Sequence, residues 1–233
     1  MSNLEYHELA WTEDNIPVSK AFDDPFYSRR DGRAETQYVF LGGNGLPGRW
    51  LDTNRFDIAE LGFGTGLNFL ETWQTWCATR QDGQHLFYTA FEKYPLSAHD
   101  IERALSGWRD LMPRCKQLIE VWDIETRLGE IWQLDPQTSL QIVPGAAESS
   151  VSGWSGLADA WFLDGFSPAK NPEMWGERLL ADVFNHTRAG GTFATYTAAG
   201  WVRRNLEAAG FQVEKRPGHG GKREMMLGKR ASG

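Results

Sequence analysis

From residue 56 onward the chain alternates short apolar runs with longer stretches whose apolar positions recur every three or four residues. The short runs at 57–61, 85–91, 140–143, 160–163, 191–196, 211–215 and 224–228 read as strands. The longer patterns at 67–79, 97–108, 177–187 and 199–209 read as helices. Strands separated by helices of this length imply right-handed crossovers and a mainly parallel, doubly wound sheet. The last two strands lie so close in sequence that one of them is expected to run antiparallel. Residues 109–139 fit neither pattern cleanly and read as a helical or hairpin insertion. Residues 1–57 are rich in turn signals, among them Asp31-Gly32 and Gly42-Gly43-Asn44-Gly45, with a short strand expected at 37–41.

Composition narrows the class without deciding the chemistry. A length of 233 residues, 41% hydrophobic and 24% charged, fits one globular domain, with or without a small annex. No apolar run reaches the roughly 18 residues of a membrane span, and the first residues lack a signal-peptide pattern, so the expected compartment is the cytoplasm. Cys77 and Cys115 stand in no metal-like spacing and read as reduced thiols in helices, with no metal expected. Most of the eleven tryptophans are expected to serve the core, with Trp73, Trp76, Trp108 and Trp132 in helix-like stretches. The net charge of −7 argues against a general nucleic-acid binder. Residues 201–233, however, carry eight Lys/Arg against three Glu, a local +5 that leaves −12 for residues 1–200. That basic zone is either a phosphate-contacting face or a solvated surface.

Candidate chemistry begins where the first strand of the alternation ends. Glu60-Leu61-Gly62-Phe63-Gly64-Thr65-Gly66-Leu67-Asn68 runs from an apolar strand through three alternating glycines into a helix. Such a turn lets backbone approach a ligand closely, and the helix start offers free N–H groups. A dinucleotide fingerprint needs glycine at position 67, where this chain has Leu67. The G-x-G-x-G spacing, with an acid two residues earlier, suits S-adenosylmethionine better; a glycine-rich turn without ligand is the alternative. In an open α/β sheet the ligand lies beyond the carboxyl ends of the strands. The next strand ends at Glu92 and Lys93, where a carboxylate can accept both hydroxyls of a ribose. The one after it ends at Gly145 and Ala146, small residues that leave space for a flat purine.

The fourth tip carries the acceptor-side chemistry. An apolar strand ends on Asp164, followed by Gly165-Phe166-Ser167-Pro168 and a helix start at Asn171-Pro172. Methyl transfer from a sulfonium requires a nucleophile held in line and unprotonated, which for an alkyl amine is the harder demand. Asp164 can orient the N–H groups and take a proton while Phe166 shapes the slot. Asp164 as a structural turn residue is the competing reading.

These strings together resemble the MnmC methyltransferase-domain family, including its stand-alone, MnmD-like form. The resemblance rests on Phe22-Asp23-Asp24, the segment from Glu35 to Asn44, the glycine turn through Leu70, and Phe91-Glu92-Lys93-Tyr94-Pro95-Leu96. It continues through residues 159–175, Gly200-Trp201-Val202-Arg203-Arg204 and residues 218–225, so that nearly the whole chain is covered. It implies a Rossmann-like class I S-adenosylmethionine-dependent methyltransferase fold over residues 56–233. Residues 1–55 would form an N-terminal extension packed over the active site. The implied reaction is N-methylation of the 5-aminomethyl group of (2-thio)uridine at the tRNA wobble position. Cofactor contacts would fall on Glu60, Gly62, Gly64, Thr65, Gly66, Asn68, Glu92, Lys93, Gly145, Ala146 and Asp164, with Asp164 and Phe166 at the acceptor. Tyr38 and Asn44 would close over cofactor and base, and Arg203, Arg204, Lys222 and Arg223 would meet the tRNA. The chain stops without a second glycine fingerprint, so a flavin oxidase step is expected to lie elsewhere, with separate enzymes supplying the aminomethyl substrate. A small-molecule amine N-methyltransferase and a non-catalytic nucleotide- or tRNA-binding module are the alternatives.

Overall fold

The pattern of burial along Arg55–Leu61, one exposed residue followed by six buried ones, is that of a strand covered on both faces. Such a strand must sit at the centre of a parallel sheet, and it does in the computed structural model, which describes residues 7–28 and 31–233. The chain opens with a small antiparallel sheet of β1 (Leu9–Trp11), β2 (Pro17–Ser19) and β3 (Asp24–Pro25). Helix α1 (Gly32–Glu35) then runs into a π-helical segment at Thr36–Gly42, and a 3-10 turn follows at Gly48–Trp50. Next come β4 (Arg55–Leu61), α2 (Leu67–Thr79), β5 (His85–Glu92), α3 (Ala98–Leu105), α4 (Met112–Val121), β6 (Ile131–Asp135) and β7 (Thr138–Pro144). The remainder is α5 (Ala147–Ser152), β8 (Ala158–Leu163), α6 (Glu177–Asn185), β9 (Thr187–Thr195), α7 (Gly200–Ala209), β10 (Gln212–Pro217) and β11 (Glu224–Lys229).

The large sheet has the order β10-β11-β9-β8-β4-β5-β7-β6. Pairs β4–β5, β4–β8, β5–β7 and β8–β9 are parallel. Strand β11 is the antiparallel strand expected near the C-terminus, pairing with both β9 and β10. A second antiparallel strand, β6, forms a hairpin with β7, so residues 109–139, read as a helical or a hairpin insertion, supply both a helix and a hairpin arm. Trp132 lies in that strand rather than in a helix, with 1% of its surface exposed. The chain leaves β4 toward β5 on one side and returns as β8 on the other. The switch point therefore falls at the tips of β4 and β8.

Alternate residues of the central strands feed two separate cores. Ile58, Ala160 and Phe162 face one layer with α2 and α4; Ala59, Trp161 and Leu163 face the other with α5, α6 and α7. The N-terminal residues share the first core. Val39, Phe40, Leu41 and Trp50 are buried in it, and the Trp50 ring packs edge-on against Trp76 at 5.4 Å while its indole N–H donates to Thr79 Oγ1 at 3.1 Å. An aromatic side chain of this size removes roughly 200 Å² from water, about 5 kcal/mol by area before ordering entropy is subtracted. The N-terminal layer is thereby fastened to the sheet by its own core residues.

Residues 37–41, expected as a strand, are instead part of the π-helix Thr36–Gly42. A short apolar run does not declare its period, and packing decided it. The turn leaving this helix presses on β9 so closely that a Cβ at Gly43 would lie 2.7 Å from the Ala194 Cβ. Asn44, expected over the cofactor, is drawn into that contact. Its amide N–H groups donate to the carbonyls of Phe40 (2.9 Å) and Trp161 (3.2 Å), its oxygen accepts from Thr192 Oγ1 (2.6 Å), and 1% of its surface is exposed. Asn44 is therefore a structural tie between the N-terminal layer and the sheet. Replacing it with Ala should cost about 1–3 kcal/mol by chemical denaturation, because buried partners lose their hydrogen bonds, while binding of a small ligand by the folded fraction should be unchanged.

Candidate functional site

Three glycines make the turn at the switch point possible. Gly62, Gly64 and Gly66 have φ of 80°, 52° and 75°, a region in which side chains are disfavoured. The Gly62 N–H donates to the Phe91 carbonyl at 2.9 Å, which ties the turn to β5. A Cβ on Gly62 would sit 3.7 Å from the Gly165 Cα, so the tips of β4 and β8 nearly touch through two glycines. Gly66 starts α2 and would push a Cβ to within 2.9 Å of the Phe63 ring. A cavity of about 840 Å³ opens above this turn, and Gly62, Gly64, Thr65 and Asn68 line it. Gly66 does not.

At the next tips, Glu92 ends β5 and Lys93 follows it, and Gly145 and Ala146 follow β7; all four line the same cavity. The Glu92 carboxylate accepts the Gly64 N–H at 3.0 Å on one oxygen and the Tyr94 N–H at 2.7 Å on the other. Burial raises its proton affinity and these backbone bonds oppose the rise. The carboxylate lines the cavity, where hydroxyl groups of a ligand can approach it.

Asp164, just beyond β8, is joined to the turn by one amide. Asn68 Nδ2 donates to Asp164 Oδ2 at 2.7 Å and to Glu60 Oε1 at 2.8 Å, and Asn68 Oδ1 accepts from Thr36 Oγ1 at 2.7 Å. Glu60 also accepts from the Tyr88 hydroxyl at 2.9 Å and is fully buried. Burial first, then the charge of Asp164, pushes the Glu60 carboxyl well above the usual carboxylate range. Glu60 thus lies behind Asn68 and outside the cavity, supporting the site from below. Burial likewise pushes Asp164 from 3.8 up to about 7, opposed by the Gly165 N–H, the Asn68 amide and the Lys222 charge.

Phe166 closes this end with a group of rings drawn from the N-terminal layer. It stacks on Phe22 with centroids 4.7 Å apart and meets Phe26 and His7 edge-on at 5.1 and 5.6 Å. Asp24 accepts the Ser167 N–H at 2.9 Å, which fastens the loop after β8 to that layer. Burial holds His7 down at about 4, hence neutral at pH 7.

A family model for S-adenosyl-L-methionine-dependent methyltransferases matches residues 111–231, just over half of the chain. The chain belongs to the S-adenosyl-L-methionine-dependent methyltransferase family. It is 43% identical over 97% of its length to the tRNA 5-methylaminomethyl-2-thiouridine biosynthesis bifunctional protein MnmC of Marinobacter nauticus, and 42% identical over 99% to that of Aeromonas hydrophila. It spans only 37% and 36% of those relatives. The crystal structure of MnmC2 from Aquifex aeolicus shares the fold with a TM-score of 0.75, at 22% identity over 97% of this chain and 71% of that one. The resemblance read from the motifs thus extends over nearly the whole chain.

The cavity fits the cofactor of this methyltransferase family in its donor set. Bare backbone at Gly62 and Gly64, the Glu92 carboxylate and the small Gly145-Ala146 corner face one space with Asp164 and Phe166. The residues expected at the tRNA are not gathered there. Tyr38 is 44% exposed and outside the cavity, its hydroxyl donating to the Pro217 carbonyl at 3.0 Å. Arg203 on α7 pairs with Glu207 at 3.3 Å, whereas Arg204 and Arg223 are exposed without an ion pair among the described residues. Lys222 points the other way: it lines the cavity and pairs with Glu35. Sequence reasoning missed His7, Phe26, Glu35 and Tyr196 as lining residues. Among the described residues no helix is long and apolar enough to cross a membrane, and no cluster of three or more His, Cys, Asp or Glu side chains is placed to hold a metal. Replacing Glu92 with Ala should weaken S-adenosylmethionine binding at least about tenfold, about 1.4 kcal/mol, in calorimetric titration; an unchanged Kd would remove Glu92 from the cofactor's contacts.

Proposed function

We propose that this chain N-methylates the 5-aminomethyl group of (2-thio)uridine at the tRNA wobble position, in the cytoplasm. The observation that carries the reading is the placement of Asp164: a half-buried carboxylate on the sheet edge that holds the glycine turn, beside Phe166 and lining the same cavity. The names of the MnmC relatives support the acceptor's identity.

Bound S-adenosylmethionine would supply an electrophilic methyl on its sulfonium. Gly62, Gly64, Thr65 and Asn68 would hold its methionine end, Glu92 and Lys93 its ribose, and Gly145 and Ala146 its purine. Asp164 would accept a hydrogen bond from the acceptor amine, aiming its lone pair at the methyl, and take the proton the amine sheds. The new N–C bond would form as the S–CH3 bond breaks, leaving S-adenosylhomocysteine and the methylamine. Phe166 would bound the slot, and residues 1–55 would cover the acceptor side of domain 56–233. Tyr38, Arg203, Arg204 and Arg223 would lie along the path of the tRNA.

Mass spectrometry of wobble nucleosides decides the reading. Aminomethyl-uridine tRNA incubated with enzyme and S-adenosylmethionine should gain one methyl; transfer to free amines alone would favour a small-molecule enzyme. Asp164→Asn should lower turnover roughly 10²–10⁴-fold with cofactor affinity little changed. Because burial favours the neutral acid, protonation sets in at about 7 instead of 3.8. Activity that needs the carboxylate should therefore fall as the pH drops through about 7, and that step should be missing from the residual rate of the Asn variant. Arg204→Ala and Arg223→Ala should each flatten the dependence of log Kd for tRNA on log salt by about one unit; identical slopes would move the tRNA path elsewhere.

A further inference from the structure

Lys222 is an unexpected occupant of the acceptor end. It comes from the loop between β10 and β11, where Gly220 and Gly221 have φ of 63° and 94°. The loop reaches across to the N-terminal layer, and the Lys222 ammonium pairs with the Glu35 carboxylate at the end of α1. The same ammonium lies over the face of Tyr196, 4.0 Å from the ring centroid. Tyr196 in turn donates its hydroxyl to the Gly165 carbonyl at 2.8 Å, so its ring is fixed beside the loop that carries Asp164. Glu35, Tyr196, Lys222 and Asp164 all line one cavity. Burial, followed by the charges of Asp164, Asp24 and Glu35, pushes the Tyr196 phenol far above its usual range.

A carboxylate beside an aromatic face, with further acidic groups nearby, is a cage for an alkylammonium. The side chain now in it ends in CH2–NH3⁺, the same terminal group as a protonated aminomethyl substituent. We propose that Glu35 and the face of Tyr196 form the docking site for the acceptor's primary ammonium, and that Lys222 is a stand-in cation which the substrate displaces. This rests on the amine-methylation reading and adds two residues to its acceptor side. Glu35 would select a cationic substituent before Asp164 relieves it of its proton. Lys222 would lower the affinity for that substituent by competing for Glu35, while keeping the carboxylate paired when no acceptor is bound.

Two anticodon stem-loops, identical except for 5-aminomethyluridine or plain uridine at the wobble position, separate the possibilities. Their Kd ratio with S-adenosylhomocysteine present measures recognition of the ammonium alone, with every phosphate contact held constant. The wild type should prefer the aminomethyl form. Glu35→Gln should reduce the preference at least about fivefold, and Lys222→Met should increase it by a similar factor, each with the plain stem-loop bound as before. If Lys222 instead meets the tRNA backbone, Lys222→Met would weaken both stem-loops equally, and the proposal falls. If it only tethers the loop, the preference would stay constant while Tm drops, and Lys222→Arg would restore the Tm; that too overturns it. Lys222 is 39% exposed, so its variant decides the matter even if Glu35→Gln does not fold. A wild type with no preference for the aminomethyl form would instead count against the amine-methylation reading itself.

Discussion

Asn68 has two amide hydrogens and one carbonyl, and the fold uses all three on different elements. The hydrogens go to Glu60 at the end of β4 and to Asp164 beyond β8; the oxygen takes the Thr36 hydroxyl from the N-terminal layer. A neutral amide serves here between two carboxylates that have no ion pair among the described residues. Its place on the first turn of α2 follows from Gly66, whose left-handed φ lets the helix begin immediately after the glycine turn. The end of β4, Asp164 and the N-terminal layer are thus held in register by one residue. The cost is carried by Glu60, a fully buried acid whose proton affinity is raised. Substituting Asp at position 68 would place a third carboxylate in this group, and Ala would leave Asp164 free to turn.

The parallel sheet and the four strand tips at the cavity are legible in the sequence for a physical reason. Central strands are buried on both faces and read as continuous apolar runs, and the chain must turn sharply where they end, which glycine and acidic residues mark. Helix α2 is found at 67–79 as its pattern states, because Gly66 starts it and a buried stripe through Leu70, Trp73 and Trp76 sustains it. Strand β6 is illegible because it lies at the sheet edge, where Ile131 is 57% exposed and the burial alternates irregularly. The π-helix is illegible because its apolar run fits either period until β9 and α2 press on it.

The end of the cavity around Asp164 and Phe166 is its least readable part. His7, Phe22 and Phe26 sit in turn-rich segments with no periodicity, and only their packing on the loop after β8 brings them to Phe166, while Glu35 reaches the same cavity from the end of α1. Lys222 shows the opposite failure. Its place in a basic stretch suggests an outward-facing contact, yet the glycines of its loop and the ring of Tyr196 turn it inward. Local charge composition says how many cations a segment carries; it does not say which of them a buried carboxylate has already claimed. Arg216 with Glu214 at 2.9 Å and Lys215 with Glu224 at 2.7 Å make the same point on the surface.

An acidic cavity in a protein of net charge −7 is at first sight a poor receptor for a polyanion. Distance resolves the conflict. Opposite unit charges 4 Å apart gain about 4 kcal/mol at an effective dielectric of 20, whereas surface charges farther apart than about 10 Å are largely screened at 0.1 M salt. On the proposed reading, the acceptor's ammonium would meet Glu35 and Asp164 at contact range, while its phosphates would remain beyond the cavity mouth near the exposed arginines. The acidic interior then repels phosphate and favours a cationic substituent long enough to reach inward from the backbone. An uncharged C5 substituent would gain nothing to offset the same repulsion. Selectivity for the amine would come from that difference in range, without requiring the protein to be basic overall.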